Sequence, residues 1–159
     1  MAYPRFQRAR AFKYVTRTAG NLTISSAAAW ADLTTAMDIA LNCQVGDVIE
    51  YGLNGFWSNE ASPAYLDVAT IVGGSAVNHF LSGGNTANSG VSAWVAQPVS
   101  AYKPFSGSVL YTVVAGDISS GQVTFRLRCL GSGSTRTLRA TTDMPLQAFA
   151  KNIGPVDPN

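Results

Sequence analysis

The amino-acid sequence predicts an all-β fold, an antiparallel two-sheet sandwich that is jelly-roll-like and carries an extended N-terminal arm. Apolar and polar residues alternate over many short segments, and this period of two is typical of half-buried strands. Turn signals separate these segments about every ten residues. The 159 residues suffice for one domain with its own core. We therefore expect a basic arm over residues 1–20, a sandwich over 21–151 and a Pro-rich tail over 152–159.

The predicted arm is strongly basic. Five cations fall within the first seventeen residues, and the first acidic side chain is Asp32. Arginines interleaved with aromatic residues can contact phosphates and bases, but five cations are a small footprint, and an arm lying across an acidic protein neighbour explains the same residues. We expect the protein contact and no direct contact with nucleic acid. The candidate partner-binding residues are Arg5, Phe6, Arg8, Arg10, Phe12, Lys13 and Arg17.

Residues 21–25 begin the sandwich as a short strand in which Leu22 and Ile24 alternate with polar residues. The following segment, SSAAAWADLTTAMDIAL, is the one place where a helix is arguable, because it lacks Gly and Pro. Its second half, however, alternates strictly from Met37 to Cys43, which favours a strand. The first half is then expected to connect the two strands, with Trp30 as an anchor.

Residues 45–72 form the expected centre of the sandwich. Val45-Gly46-Asp47 predicts a tight turn, because Gly tolerates positive φ and Asp can cap the turn. Apolar residues then alternate from Ile49 to Trp57, and a second alternating run covers 66–72. The polar connection between the runs contains Asn59-Glu60, so Trp57, Asn59 and Glu60 form a possible interaction loop.

Strands are also expected over 76–81, 91–95, 105–114, 122–130, 136–141 and 146–151. Arg126 and Arg128 share one strand face, and with Arg136 and Arg139 nearby they form either a basic patch or a solvated face. Cys43 and Cys129 have apolar neighbours, which favours buried free thiols; a disulfide between them stays possible if their strands are adjacent.

The sequence does not favour an enzyme. His79 is the only histidine, and a lone histidine is more often structural. G-x-S-x-G, C-x-x-C and H-E-x-x-H do not occur, so we expect no nucleophilic serine, metal or cofactor. No run of eighteen apolar residues is present, and we expect no association with a membrane. Charged residues make up only 13% of the chain, and such a neutral polar surface suits a protein that packs against neighbours.

In order along the chain, the sequence resembles small accessory virion proteins of tailed bacteriophages, especially those that infect actinobacteria. The matching stretches are spread along most of the chain, and their order is more specific than any one of them. They are PRFQRARAFKYVTRT (residues 4–18), NLT (21–23), GDVIE (46–50), NGFWSNE (54–60), LDV (66–68), GSVLY (107–111), AGDI (115–118) and AKNIGP (150–155).

The resemblance implies a jelly-roll homotrimer on the exterior of the virion, bound to the capsid lattice. We therefore expect a structural capsid decoration protein whose arm grips the major capsid protein or an adjacent copy of itself. The alternative is a tail-tip or fibre module that binds a host surface glycan. Its binding site would combine Trp57 with Asn59 and Glu60, or use Trp94 near residues 82–90, because sugars stack on aromatic faces.

Overall fold

Twelve strands and two short 3-10 helices (Thr35–Met37 and Ala115–Asp117) are present in the part of the chain that the computed structural model describes. That part comprises residues 11–24, 27–59, 65–72, 79–80, 94–95, 101–132 and 135–155. The strands are β1 (Phe12–Arg17), β2 (Leu22–Ile24), β3 (Ala27–Asp32), β4 (Ile39–Asn42), β5 (Asp47–Asn59), β6 (Tyr65–Val72), β7 (His79–Phe80), β8 (Trp94–Val95), β9 (Lys103–Thr112), β10 (Gln122–Ser132), β11 (Arg136–Arg139) and β12 (Leu146–Pro155).

The strands form two six-stranded sheets whose described pairings are all antiparallel. Sheet A is organised around β5, which pairs with β9 on one side and with β12 and β11 on the other. β1 pairs with β12, and β2 pairs with β11. Sheet B is organised around β10, which pairs with β3 and β4 on one side and with β6 on the other, and β6 pairs with β7 and β8.

Several of these strands are collinear pieces of one longer strand. β11 and β12 lie end to end along β5, and β1 and β2 lie end to end along β12 and β11. In the same way, β3 and β4 lie along β10, and β7 and β8 lie along β6. When each such pair counts as one strand, eight strands remain. Renumbered 1 to 8 along the chain, they have the order 1-8-3-6 in sheet A and 2-7-4-5 in sheet B. This is the connectivity of a jelly roll, a double Greek key. The predicted all-β, antiparallel, jelly-roll-like sandwich is confirmed.

The core lies between the two sheets. Ile49, Tyr51 and Leu53 of β5 point into it, as the alternation predicted, and so do Phe125 and Leu127 of β10. The rings of Tyr51 and Phe125 stack across the sandwich with their centroids 5.1 Å apart. Gly46 adopts a φ of +87°, and the side chain of Asp47 accepts a hydrogen bond from the backbone N–H of Gln44, so the predicted turn before β5 is confirmed.

The predicted arm is wrong for residues 12–17, because these residues form β1 at an edge of sheet A. An edge strand of this kind needs apolar contact on one side only. Ala11 and Val15 supply that contact with the core, whereas Phe12, Tyr14 and Thr16 are exposed on the other side. The resulting pattern of exposed aromatic residues conceals the strand period. Residues 1–10 lie outside the described residues, and an arm there stays a prediction.

The predicted tail is wrong for residues 152–155, which continue β12. Asn152 is buried, and its backbone N–H donates to the carbonyl oxygen of Ala11 while its side-chain amide donates to Asp47 Oδ2 at 2.7 Å. Gly154, with a φ of +98°, accommodates a bulge that lets the ladder resume opposite Val48. The end of β12 is therefore fastened beside the start of β1.

The alanine-rich segment is a strand and not a connection. β3 pairs with β10, and the chain then leaves the sheet before β4. Within this excursion, the hydroxyl of Thr34 accepts a hydrogen bond from the backbone N–H of Ala36, and Met37 is buried in a 3-10 turn and not in the predicted strand. Cys129 is buried and Cys43 is half-buried, and both are free thiols. No helix in the described residues is long and apolar enough to cross a membrane.

Candidate functional site

The outward side of sheet A, here called the aromatic face, presents its side chains in rows that run across β1, β12, β5 and β9. The rows arise because alternate residues of each strand point to the same side of a sheet. The first row is Phe12, Lys151, Glu50 and Leu110; the second is Tyr14, Phe149, Gly52 and Ser108; the third is Thr16, Gln147, Asn54 and Ser106.

Large apolar side chains are exposed on the aromatic face. Phe12 is 57% exposed, Tyr14 is 67% exposed and Leu110 is 65% exposed. The rings of Phe12 and Tyr14 lie side by side with their centroids 6.2 Å apart. Clustered exposed apolar residues mark interaction sites in soluble proteins more often than scattered ones do. This face is therefore the leading candidate for a binding surface.

The absence of a side chain at Gly52 leaves room for the ring of Phe149 on the aromatic face. A Cβ atom at position 52 would sit 2.3 Å from Cε1 of Phe149 and 3.1 Å from the carbonyl oxygen of Gly107. The ring of Phe149 therefore occupies the space above the glycine and covers the backbone of β5. An aromatic side chain placed over a strand glycine protects a weak point in the sheet, and here it also fixes the position of the ring.

A shallow depression of about 350 Å³ opens on the aromatic face. Three aromatic rings and two side-chain amides line it, from Phe12, Tyr14, Phe149, Asn54 and Gln147. The two amides belong to residues directly opposite each other on β5 and β12. Neither amide makes a hydrogen bond within the described residues, so both are available to a ligand.

The predicted arm residues are only partly brought together. Lys13 and Arg17 lie on the opposite side of β1 from Phe12. Lys13 is exposed, whereas Nε of Arg17 donates a hydrogen bond of 2.8 Å to the carbonyl oxygen of Gly20. The remaining four candidates, Arg5, Phe6, Arg8 and Arg10, lie outside the described residues.

Trp57, the aromatic residue of the possible interaction loop, is buried. Trp57 is only 3% exposed and belongs to the core, because it continues the inward alternation of β5. The side chain of Trp57 is therefore not exposed in the possible interaction loop. The backbone of Asn59 pairs with Arg136 at the end of β5, its side chain is not described, and Glu60 lies outside the described residues. Asn59 and Glu60 therefore stay predictions.

Of the two alternatives for Arg126, Arg128, Arg136 and Arg139, the basic patch is not formed. On the outer side of sheet B, Arg126 donates to Asp38 with Nη2–Oδ2 at 2.7 Å and reaches Asp32 at 3.5 Å. Nε of Arg128 lies 3.0 Å from Oδ1 of Asp32. The hydrogen bond to Asp38, together with the charge of that carboxylate, raises the pKa of Arg126. These four side chains, here called the ion-pair cluster, hold both ends of the excursion between β3 and β4 and leave little unbalanced charge.

The other two arginines of the expected patch are elsewhere. Arg136 belongs to sheet A and is completely buried. The guanidinium of Arg139 lies over the ring of Tyr102 at 4.7 Å and donates a hydrogen bond to its hydroxyl. The four arginines therefore do not share a surface.

Tyr111 and Asp117 form the main polar contact at the margin of the core. The hydroxyl of Tyr111 donates a short hydrogen bond to Asp117 Oδ2, which also accepts from the backbone N–H of Val114 at 3.0 Å. Burial raises the pKa of Tyr111 far above its ordinary value, and the bond to Asp117 raises it further. The Tyr111 ring also meets Phe125 edge-on at 6.3 Å, so the ring, and not the hydrogen bond, joins the two sheets.

Sequence reasoning missed Tyr14, Asn54, Gln147 and Phe149 as members of one surface. The available signal was the alternation F-x-Y-x-T in residues 12–16 and Q-x-F-x-K in residues 147–151. Both patterns place aromatic and polar residues on a single strand face. Among the described residues, no group of three or more His, Cys, Asp or Glu side chains is arranged to hold a metal ion.

The strand order places the protein in the class of jelly-roll sandwiches, a class that includes viral capsid and lectin domains. No protein-family model matches the chain, and no curated protein matches it.

Solved structures of infectious bursal disease virus particles do match. A mutant VP2 protein in derived T=1 particles has a TM-score of 0.50 and 8% identity, over 95% of this chain and 38% of that chain. The structure of the Gt strain of the virus has a TM-score of 0.51 and 8% identity, over 99% and 42%. The chain thus spans about two-fifths of the viral chains it matches, and it shares the fold of a viral capsid-type protein.

Proposed function

We propose that this protein is a capsid decoration protein of a tailed bacteriophage, a structural and non-catalytic component that binds the outer surface of the capsid. The observation that carries the proposal is the jelly roll itself, which aligns with VP2 of a virus particle over nearly all of this chain. The sequence resemblance to accessory virion proteins supports the same role independently. The sparse charge of the chain also suits a protein that packs into a lattice.

The basic N-terminal segment provides the contact with the major capsid protein or with an adjacent copy. Arg5, Arg8 and Arg10 lead directly into β1, where Lys13 is exposed on the side opposite the aromatic face. A firm edge strand thus anchors the segment to the sandwich at one end. Homotrimers match this arrangement, because cyclic symmetry lets several segments engage the lattice at once.

The test reverses the charge of the segment without touching β1. The triple variant Arg5→Glu, Arg8→Glu, Arg10→Glu should fold normally and should no longer sediment with capsids assembled without the native protein. Lys103→Glu is the control, because Lys103 is an exposed cation on β9, at the other edge of sheet A. Undiminished sedimentation of the triple variant contradicts the proposal.

A truncation that tests the basic segment must end before β1, which begins at Phe12. Removing residues 1–10 leaves β1 intact, whereas removing residues 1–17 exposes the edge of β12 and uncovers part of the core. The shorter truncation should abolish capsid binding with little change in the free energy of unfolding. The alternative, a tail-tip or fibre module, loses Trp57 as a stacking surface because that side chain is buried, whereas the side chain of Trp94 and residues 82–90 are not described. Particles carrying a handful of copies in place of hundreds would support this alternative over decoration.

A further inference from the structure

We propose that the depression on the aromatic face is a binding site for a neutral carbohydrate. This inference is separate from the proposed attachment to capsids, which rests on Arg5, Arg8 and Arg10. It rests on the depression between β1, β12 and β5, on the aromatic rings that line it and on its two unengaged amides.

The rings supply the stacking surfaces that a sugar requires. The faces of aromatic rings are electron-rich and attract the weakly positive C–H groups of a pyranose. Phe12 and Tyr14 present two such surfaces at a centroid separation of 6.2 Å, and Phe149 lies one strand away. Phe149 is held in place over Gly52, so part of the site is formed before any ligand arrives.

The amides supply matched hydrogen bonds. A primary amide has one carbonyl acceptor and two N–H donors, so it can both give and receive in contacts with neighbouring hydroxyl groups. Asn54 and Gln147 are cross-strand partners on the same side of the sheet, so their amides can reach adjacent hydroxyls of one sugar. Thr16 of the same row adds a further hydroxyl.

The charges around the site favour a neutral ligand. The second and third rows of the aromatic face contain no charged side chain. The first row contains Lys151 and Glu50, which are directly opposite each other and of opposite sign. An anionic or cationic ligand would therefore find no unbalanced charge within these three rows.

The size of the site favours a small ligand over a protein. Small-molecule sites are about 300–1,000 Å³, and the depression of about 350 Å³ falls at the lower end of that range. A stable protein contact buries roughly 800 Å² on each partner, so a protein would have to cover much of the face around the depression as well. A few sugar units fit the available space.

The experiment follows backbone amide chemical shifts of the ¹⁵N-labelled full chain during titration with four neutral probes: cellotetraose, maltotetraose, laminaritetraose and chitotetraose. Each probe is taken to about 10 mM, because weak binding near 1 mM is sufficient for such a shallow site. At least one probe should shift Tyr14, Asn54 and Gln147, with no response from Arg126 or Arg128 on sheet B.

Matched variants then separate the site from the rest of the face. Tyr14→Ser should weaken binding about tenfold, in line with loss of one stacking ring. Leu110→Ser should leave binding unchanged, because Leu110 is equally exposed on the same face but lies outside the depression. Both positions are exposed, so both variants should fold.

Three results would overturn the proposal. One is the absence of any shift with all four probes; another is equal weakening by Tyr14→Ser and Leu110→Ser. The third is a change in the same signals with protein concentration alone, which would assign the face to contact between copies. None of these results bears on capsid sedimentation, so the proposed function stands or falls separately.

Discussion

The outer faces of the two sheets differ in whether their described side chains have partners within the protein. On sheet B, Arg126 and Arg128 are neutralised by Asp32 and Asp38. On sheet A, Phe12, Tyr14 and Leu110 are more than half exposed, and the amides of the neighbouring row make no hydrogen bonds within the described residues. The charges described on the outer face of sheet B are therefore balanced within the isolated protein, whereas the face of sheet A is suited to a ligand. Substitutions should reveal this contrast as a difference between stability and binding.

The largest effect is expected where the aromatic face depends on the sheet beneath it. Gly52→Ala should lower the free energy of unfolding by about 2 kcal/mol, because the new Cβ overlaps the ring of Phe149. Gly116→Ala is the control, since no atom lies within 4 Å of its added Cβ. Urea unfolding of both variants measures the difference. Equal stability would mean that Phe149 moves aside easily and does not form a rigid wall of the depression.

Next in size is the hydrogen bond between Tyr111 and Asp117. Tyr111→Phe should cost about 1–2 kcal/mol, because Asp117 loses a hydrogen bond in a largely buried position. Val109→Ala, at a half-buried position on the same side of β9, serves as a comparison for lost packing alone.

The same contact predicts a dependence on pH. The pKa of Tyr111 is higher in the folded protein than in the unfolded chain. As the pH rises, the Tyr111 hydroxyl therefore loses its proton first in the unfolded chain. Its contribution to the free energy of unfolding should be fully present below about pH 10 and should decline as the pH rises further. Tyr111→Phe should reduce this decline, which unfolding curves measured between neutral and alkaline pH would show. An unchanged decline would assign the effect to other groups.

A smaller effect is expected from the ion-pair cluster. Arg126→Met retains much of the side-chain volume but leaves Asp38 without its main partner, and it should cost about 1 kcal/mol, less at high salt. It should not alter binding of any ligand to sheet A. A loss of carbohydrate or capsid binding in this variant would remove the distinction between the two faces.

The smallest effect on stability is expected from the aromatic face itself. Tyr14→Ser should change the free energy of unfolding by no more than about 0.5 kcal/mol, because Tyr14 is 67% exposed. The variant Arg126→Met is its counterpart on the other sheet. If Tyr14→Ser proved the more destabilising of the two, the aromatic face would be a structural feature and not a binding surface.

The sequence predicts the sandwich well because local alternation determines which side of a strand is buried. The inward residues of β5 and the turn at Gly46 follow from that period and from glycine chemistry. Trp57 obeys the same alternation, which accounts for its burial, whereas a binding role for Asn59 and Glu60 stays a prediction.

Local sequence patterns do not show which distant segments of the chain pair with each other. Arg126 meets Asp38 across 88 positions, so the neutralisation of the expected basic patch depends on the order of strands in sheet B. The aromatic face likewise joins residues from near both ends of the chain, such as Tyr14 and Phe149. No local window contains both halves of either feature.

The hydrogen bond from Asn152 to Ala11 matters for engineering of this protein as a display scaffold. It brings the start of β1 and the end of β12 to one corner of the sandwich, so cargo fused after residue 155 would emerge beside the basic N-terminal segment. Insertions between β11 and β12, near Thr141 at the far end of β1, would keep cargo away from that corner. There, Asn21 Oδ1 accepts a hydrogen bond of 3.0 Å from the backbone N–H of Ala140, which gives such an insertion a fixed base.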